Sequence, residues 1–477
     1  MAKRSAPPTS DPRRPMKAFV VASACLGWLC GCAAVRVPEY QHPATPAKSS
    51  WTRPNNLSVT EAVSPDWWAK FGDPYLDSLV AQAVAGNFDL KVLAARIDVA
   101  KAQIAEAHAG ALPTVDVAPQ GVVQKIVGQP TVKQFGLSSE VSWDIDIWGK
   151  VEKGVQAQTA EFHATEADWR AGYLQVVAAV AMSYFHIREL DGQISEQQRA
   201  LAKSEQILAI YGTMRSNGLS SDTDVARQRA EINRLTSDLV ELHRSRDLTE
   251  NALASLLGVP AGEFKMPPER LQSHVHAPAV GASLPLDLLA RRPDVVAAEF
   301  RVLEAHDLMG QARLAQLPTF NLAGQAASGS FALTDIFKAF TFGFTPTLNI
   351  PALNPSVRAH VKTTEAQIKV AEEGYRSTVI AAYGEVENTL VNLDAHRRQA
   401  DELQKQVDQL QLVSAQTQSQ LEIGVVSQLD VFENERSLLT AQLALLDSQE
   451  QLLSDTVTLY KALGGGWTPV AVANAAG

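Results

Sequence analysis

Cysteine is almost absent. The 477 residues contain three, Cys25, Cys30 and Cys32, all near the N-terminus. Everything after them lacks a thiol, which excludes disulfides and thiolate metal sites. Beyond the N-terminal segment there is no run of about 18 apolar residues, so no spanning helix follows. Basic charge is scarce too. Lys and Arg number 42 against 52 Asp and Glu, and a net charge of −10 is the wrong sign for gripping a phosphate backbone. No P-loop, dinucleotide fingerprint or nucleophile–base constellation occurs. The ten histidines are scattered, and His274-Val275-His276 sits in a Pro-rich stretch without a third ligand. These absences exclude nucleic acid as a partner and leave no expectation of an enzyme, a cofactor or a metal site.

The first 32 residues read as a processing segment. Lys3, Arg4, Arg13, Arg14 and Lys17 make a positive region, and Ala18 to Leu29 is apolar but too short to span. Leu29-Cys30-Gly31-Cys32 is similar to a bacterial lipobox, with a small residue before an acceptor cysteine. Residues 1–31 are then a lipoprotein signal peptide, and Cys32 the lipidated first residue of the mature chain. An ordinary signal peptide is the alternative. Ala33, where a retained inner-membrane lipoprotein often carries Asp, points to the outer membrane. Residues 32–65, rich in Pro, Ser, Thr and Ala, read as an extended tether without a core, with order beginning near Asp66.

The rest is written twice. Leu112-Pro113-Thr114 returns as Leu317-Pro318-Thr319 and Asp89 as Asp294, an offset of 205 (317 minus 112). Gly218 to Val225 returns as Gly424 to Val431, and Leu257-Gly258 as Leu463-Gly464, an offset of 206 (430 minus 224). Neither copy closes a structure alone, so two similar units should pack side by side. The copies span 66–258 and 284–463, joined by a connector over 259–283 and followed by a tail over 464–477.

Each copy has the same internal order. A helical pattern runs from Pro74 to Ala111 and again from Pro293 until Pro318. The period then changes from 3.6 to 2. Phe135, Leu137, Ser139, Val141, Trp143, Ile145 and Ile147 alternate with Gly136, Ser138, Glu140, Ser142, Asp144 and Asp146. Phe340, Phe342 and Phe344 alternate with Thr341, Gly343 and Thr345. One strand hairpin per copy results, at about 114–147 and 319–350. Such alternation suits a soluble sheet or a membrane barrel equally. Four strands close no barrel, so a barrel requires several chains. Aromatics at the strand ends, among them Trp143, Trp148, Phe320, Phe331, Phe337 and Phe340, suit interfacial belts.

Long helices fill the remainder, as hairpins over about 150–257 and 355–463. At 1.5 Å per residue the longest are about 100 Å. In the last helix Leu439, Leu443, Leu446, Leu453, Val457 and Tyr460 follow heptad spacing, interrupted by Arg436 and Glu450, with Leu438, Leu445, Leu452 and Leu459 adjacent. A seam this wide implies neighbours on both sides.

Trp67-Trp68-Ala69-Lys70-Phe71-Gly72-Asp73-Pro74, Leu289-Ala290-Arg291-Arg292-Pro293-Asp294-Val295 and Leu317-Pro318-Thr319-Phe320 together resemble the outer membrane factor family. More narrowly, they are similar to the NodT- and OprM-type lipoproteins of resistance-nodulation-division efflux systems. The resemblance implies a mainly α, TolC-like protomer of a homotrimer. Four strands per chain enter a twelve-stranded barrel in outer-membrane lipid, above a periplasmic helical barrel and an equatorial domain. It implies an exit duct fed by an inner-membrane pump through a periplasmic adaptor. A type I secretion duct or a soluble coiled-coil scaffold lipoprotein are the alternatives.

The same resemblance sets two turns at the periplasmic end. Gly218 and Gly424 leave a helix with positive φ. Ser221…Asp224 and Ser427…Asp430 then read as capping boxes. Asp222, Asp224 and Asp430 are candidate gate residues, because in a trimer they recur as a carboxylate ring. Arg215, Gly218, Leu219, Ser220, Ser221, Gly424, Val425, Val426 and Ser427 are candidate adaptor-docking positions.

Overall fold

The computed structural model describes residues 38–46, 48, 50–52, 64–271, 275, 277–278, 291–338 and 340–467. Cys32, the signal segment, His274, His276 and the last ten residues lie outside them. The first copy comprises α1 (Pro74–Gly86), α2 (Phe88–Ala109), β1 (Thr114–Gln124), β2 (Val132–Ile145), α3 (Lys150–Ser216) and α4 (Asp222–Leu257). The second comprises α5 (Pro293–Leu314), β3 (Thr319–Ser330), β4 (Phe340–Asn349), α6 (Pro355–Glu422) and α7 (Gln428–Ala462). Among the described residues no helix is long and apolar enough to cross a membrane.

The aromatic segment before α1 seeds the core. Trp67 and Phe71 are fully buried; Trp67 stacks on Tyr460 of α7 at 5.1 Å, and Phe71 meets Phe185 of α3 at 5.0 Å. Gly72, at φ 74°, turns the chain. The Asp73 carboxylate then caps α1 by accepting from the Tyr75 amide at 2.9 Å, and it also accepts from the Tyr184 hydroxyl. Pro74, with no amide hydrogen to satisfy, opens the helix. One short motif thereby fastens α1 to both repeats.

The helical pattern over 74–111 divides into α1 and α2. Asn87 breaks it, because its amide is used twice: Oδ1 accepts from Leu90 N at 3.0 Å, and Nδ2 donates to Leu256 O of α4 at 2.9 Å. Beside it two bare backbones touch. A Cβ on Gly86 would lie 2.3 Å from the Leu257 oxygen, and one on Gly258, at φ 74°, 2.4 Å from the Gly86 oxygen. Gly72 has the same φ in open space. Gly72→Ala should therefore cost about the 1–2 kcal/mol of a left-handed side chain. Gly258→Ala should cost clearly more, read as the larger fall in thermal unfolding temperature.

The described residues before Asp66, 38–46, 48 and 50–52, are not free of the body. His42 pairs with Glu299 of α5 at 3.3 Å, Arg376 of α6 donates to Ala44 O at 3.1 Å, and Lys48 pairs with Glu387. The start of the connector is likewise tied down, at Lys265 and Met266. Arg246 of α4 reaches Asp191 at 2.6 Å, Glu250 at 2.6 Å and the Met266 carbonyl at 2.8 Å, while Lys265 meets Glu250 at 2.8 Å. The wide seam of α7 finds its two neighbours in α6 and α3.

Candidate functional site

Two ends of the molecule carry its functional geometry. At one end the hairpins join through β2 and β3 into a single antiparallel sheet, ordered β1-β2-β3-β4. The register settles which residues share a face. Val115, Val141, Gly324 and Phe344 are partners across the sheet, as are Val117, Ser139, Ala326 and Phe342. The opposite face carries Asp116, Glu140 and Gln325 in one row, and Asp144 with Asn321 in another. Directly opposed Asp116 and Glu140 repel each other, so this face must be wet.

The other face is apolar and uncovered. β1 and β4 are exposed along their whole length. A soluble sandwich buries its apolar face against a second layer; among the described residues there is none. An aliphatic and aromatic face turned outward, opposite a polar one, is the membrane-barrel arrangement. Ile147 falls beyond β2, whose pairing ends at Ile145. Trp143 and Trp148 anchor the strand bases, donating to the Ala111 and Pro318 carbonyls at 2.9 and 2.7 Å. Phe331 and Phe337 lie exposed at the far turn. Aromatics thus sit at both rims. Among the described residues no strand pairs with the outer edges of β1 and β4, so the sheet is an arc that other strands must complete.

At the other end are the two helix–helix turns. In the first, Gly218 N donates to Arg215 O at 2.9 Å and Leu219 N to Met214 O at 2.8 Å, the paired bonds of a Schellman ending. The second repeats it, with Gly424 N to Leu421 O and Val425 N to Gln420 O, both 2.9 Å. Both expected capping boxes form. Ser221 Oγ accepts from Asp224 N at 3.1 Å while the Asp224 carboxylate accepts from Ser221 N at 3.1 Å. Ser427 and Asp430 exchange the same bonds at 3.4 and 2.8 Å. Hydrogen bonds from the serine hydroxyl first, and its amide second, hold both aspartates below the usual carboxylate range. Both therefore stay charged in mild acid.

Asp222 is different. It takes no part in the box, and its carboxylate meets Arg215 at 2.5 Å across the turn. By the offset of 206, this pair corresponds to Leu421 and Gln428, which cannot form it. The seven-residue spacing of Arg215 and Asp222 across a glycine turn is the sequence signal of this pairing. Around them Leu219 and Val425 are 72% and 68% exposed, an uncommon state for apolar side chains in well-formed turns. Gly218, Ser220, Ser221, Gly424, Val426 and Ser427 complete the same two tips.

An open-edged sheet with an outward apolar face, standing on helical hairpins whose longer helices have 67 and 68 residues, defines a class. It is the protomer of an outer-membrane channel prolonged by a helical tube. The chain belongs to the outer membrane efflux protein family, whose model matches residues 79–259 and 284–465. It is 28% identical to the pyoverdine export outer membrane protein OpmQ of Pseudomonas putida, over 88% of this chain and 92% of that one. It is 28% identical to the probable outer membrane lipoprotein SilC of Salmonella typhimurium, over 92% and 96%. The solved open state of the MtrE outer membrane channel of Neisseria gonorrhoeae superposes with a TM-score of 0.80 at 25% identity, covering 90% of this chain and 98% of that one. The protein is thus a TolC-like outer-membrane exit duct of tripartite efflux systems and not an enzyme. Members of the family work as trimeric channels.

Proposed function

We propose that three copies of this chain share one axis, so that twelve strands close the barrel and six helical hairpins close the tube. A lipid on Cys32 adds an anchor in the outer membrane. Substrate enters from an inner-membrane resistance-nodulation-division pump through a periplasmic adaptor, and the pump supplies the energy. The adaptor docks on the tips, where exposed Leu219 and Val425 offer apolar surface and Arg215, Gly218, Ser220, Ser221, Gly424, Val426 and Ser427 shape the turns.

One observation carries the gate. The two tips share their Schellman and capping-box bonds, but one adds the Arg215–Asp222 pair where the other has Leu421 and Gln428. Alternated around an axis, they make a threefold ring from six similar hairpins. Asp224 and Asp430 serve first as caps, yet their charges stay exposed and add to that ring. A closed tip of this kind favours cations, and adaptor binding shifts it from packed to splayed. In planar bilayers the double variant Asp222→Ala, Asp430→Ala should show a higher single-channel conductance and a weaker cation preference. Unchanged conductance and selectivity would remove both residues from the gate.

A further inference from the structure

Glu450 interrupts the leucine seam of α7, between Leu446 and Leu453. The fold turns it toward α3, a helix of the other repeat, where His186 and Glu189 lie one turn apart. His186 Nδ1 is 2.9 Å from Glu189 Oε2, and one ligand atom from each of the three residues lies within 4.8 Å of the others. Glu189 is 94% buried by its side chain. Two carboxylates therefore converge in a drying helix seam with a single imidazole between them, an arrangement that like-charge repulsion and desolvation oppose.

The nearby arginines are committed elsewhere. Arg188 binds the Pro267 carbonyl at 2.8 Å and lies 3.5 Å from Asp191; Arg270 binds Ser195 at 2.8 Å and Glu196 at 2.5 Å. Each carboxylate is also held from the next turn of its own helix: Gln193 donates to Glu189, and Ser454 donates to Glu450 at 2.5 Å. Hydrogen-bonded carboxylates beside an imidazole are how metal ligands are oriented. A cavity of about 380 Å³, shared with Arg188 and Arg270, opens on Glu189 and Glu450; His186 is half-exposed and lies outside its lining.

We propose that His186, Glu189 and Glu450 bind one divalent transition-metal ion of the Zn²⁺ class. One imidazole and two carboxylates suit such an ion better than Ca²⁺ or Mg²⁺, which take oxygen alone, or a soft thiophilic ion. The bound ion bridges α3 to α7 and so clamps the first repeat to the second. This assignment goes beyond the conduit reading and does not depend on it.

The test uses the untagged full-length protein in detergent, stripped with chelator and titrated calorimetrically with Zn²⁺. One Zn²⁺ per chain should bind, and Zn²⁺ should raise the unfolding temperature. Affinity should fall at least roughly tenfold in Glu450→Gln and in His186→Asn. His360→Asn, at an exposed position of α6, should bind as the parent does. Co²⁺ in place of Zn²⁺ should give a visible absorption band that Glu450→Gln loses. Unfolding temperatures without metal report whether each variant folds, and Glu450→Asp, which keeps the charge but draws it back, should bind more weakly. Absence of Zn²⁺ binding, or equal affinity in the parent and in both folded ligand variants, would overturn the site.

Discussion

Arg292→Ala is expected to destabilise the helical body strongly. The guanidinium is 10% exposed and ties three helices together. It meets Asp294 in the first turn of α5 at 2.7 Å, Glu385 in the middle of α6 at 2.8 Å, and the Ala462 carbonyl at the end of α7 at 3.0 Å. Alanine leaves two carboxylates without their shared cation and a carbonyl without a donor. Breaking a fully buried pair from one side costs about 3–5 kcal/mol; here Asp294 is 41% exposed and Glu385 keeps Lys461 at 3.0 Å, so the loss should fall toward about 2–3 kcal/mol. Arg292→Lys keeps the charge but loses the planar fork, so it should fall between parent and alanine.

The pH dependence has a definite sign. Burial works against the Glu385 carboxylate, but Arg292 and Lys461 outweigh it and hold it below its ordinary range. A lowered folded-state pKa contributes stability above the unfolded-state value and loses it as pH falls through the folded one. The deficit of Arg292→Ala should therefore be largest at neutral pH and shrink in acid, where the parent loses the pair too. Chemical denaturation at several pH values measures both. A deficit below about 1 kcal/mol, the worth of a surface pair, would mean that the fork is idle.

Why Arg292 matters was invisible in the sequence, although its motif was not. Pro293 marked the start of α5, but the partners of Arg292 lie at 385 and 462, and no local pattern brings them there. The same holds for Asn87. Its neighbourhood reads as continuous helix, and only the Leu256 carbonyl, 169 residues away, makes it a break. Features that close within one turn were legible. Both capping boxes, both Schellman glycines and the alternation of the strands follow from neighbours a few residues apart. His42 and Lys48 show the opposite case: a polar, Pro-rich composition cannot reveal that Glu299 and Glu387 wait on the helices to receive them. The strand faces lay between. Alternation assigned side chains to two faces, but which face meets lipid needed the register, because only pairing sets Asp116 against Glu140.

That assignment makes the second large expectation. Phe344 and Thr345 are adjacent in β4, equally short of its ends, and point to opposite faces. Phe344→Arg sets a charge on the apolar face, where arginine near the bilayer midplane costs about 2–4 kcal/mol. In a trimer the cost is incurred three times, enough to deplete the assembled channel. Thr345→Arg sets the same charge on the wet face with Asp116, Glu140 and Asp144, where it meets water and opposite charge. It should assemble normally and weaken the cation preference of the pore. The two proteins differ only in which of two neighbouring residues carries the arginine, so composition, synthesis and export are matched. Folded trimer in outer-membrane fractions, seen as heat-modifiable migration, should fall steeply for Phe344→Arg alone. If instead Thr345→Arg were the lost variant, Phe344 would face the pore and the apolar face would be the lining. If both were tolerated, the sheet would stand in water, and its uncovered aromatic face would need another partner than lipid.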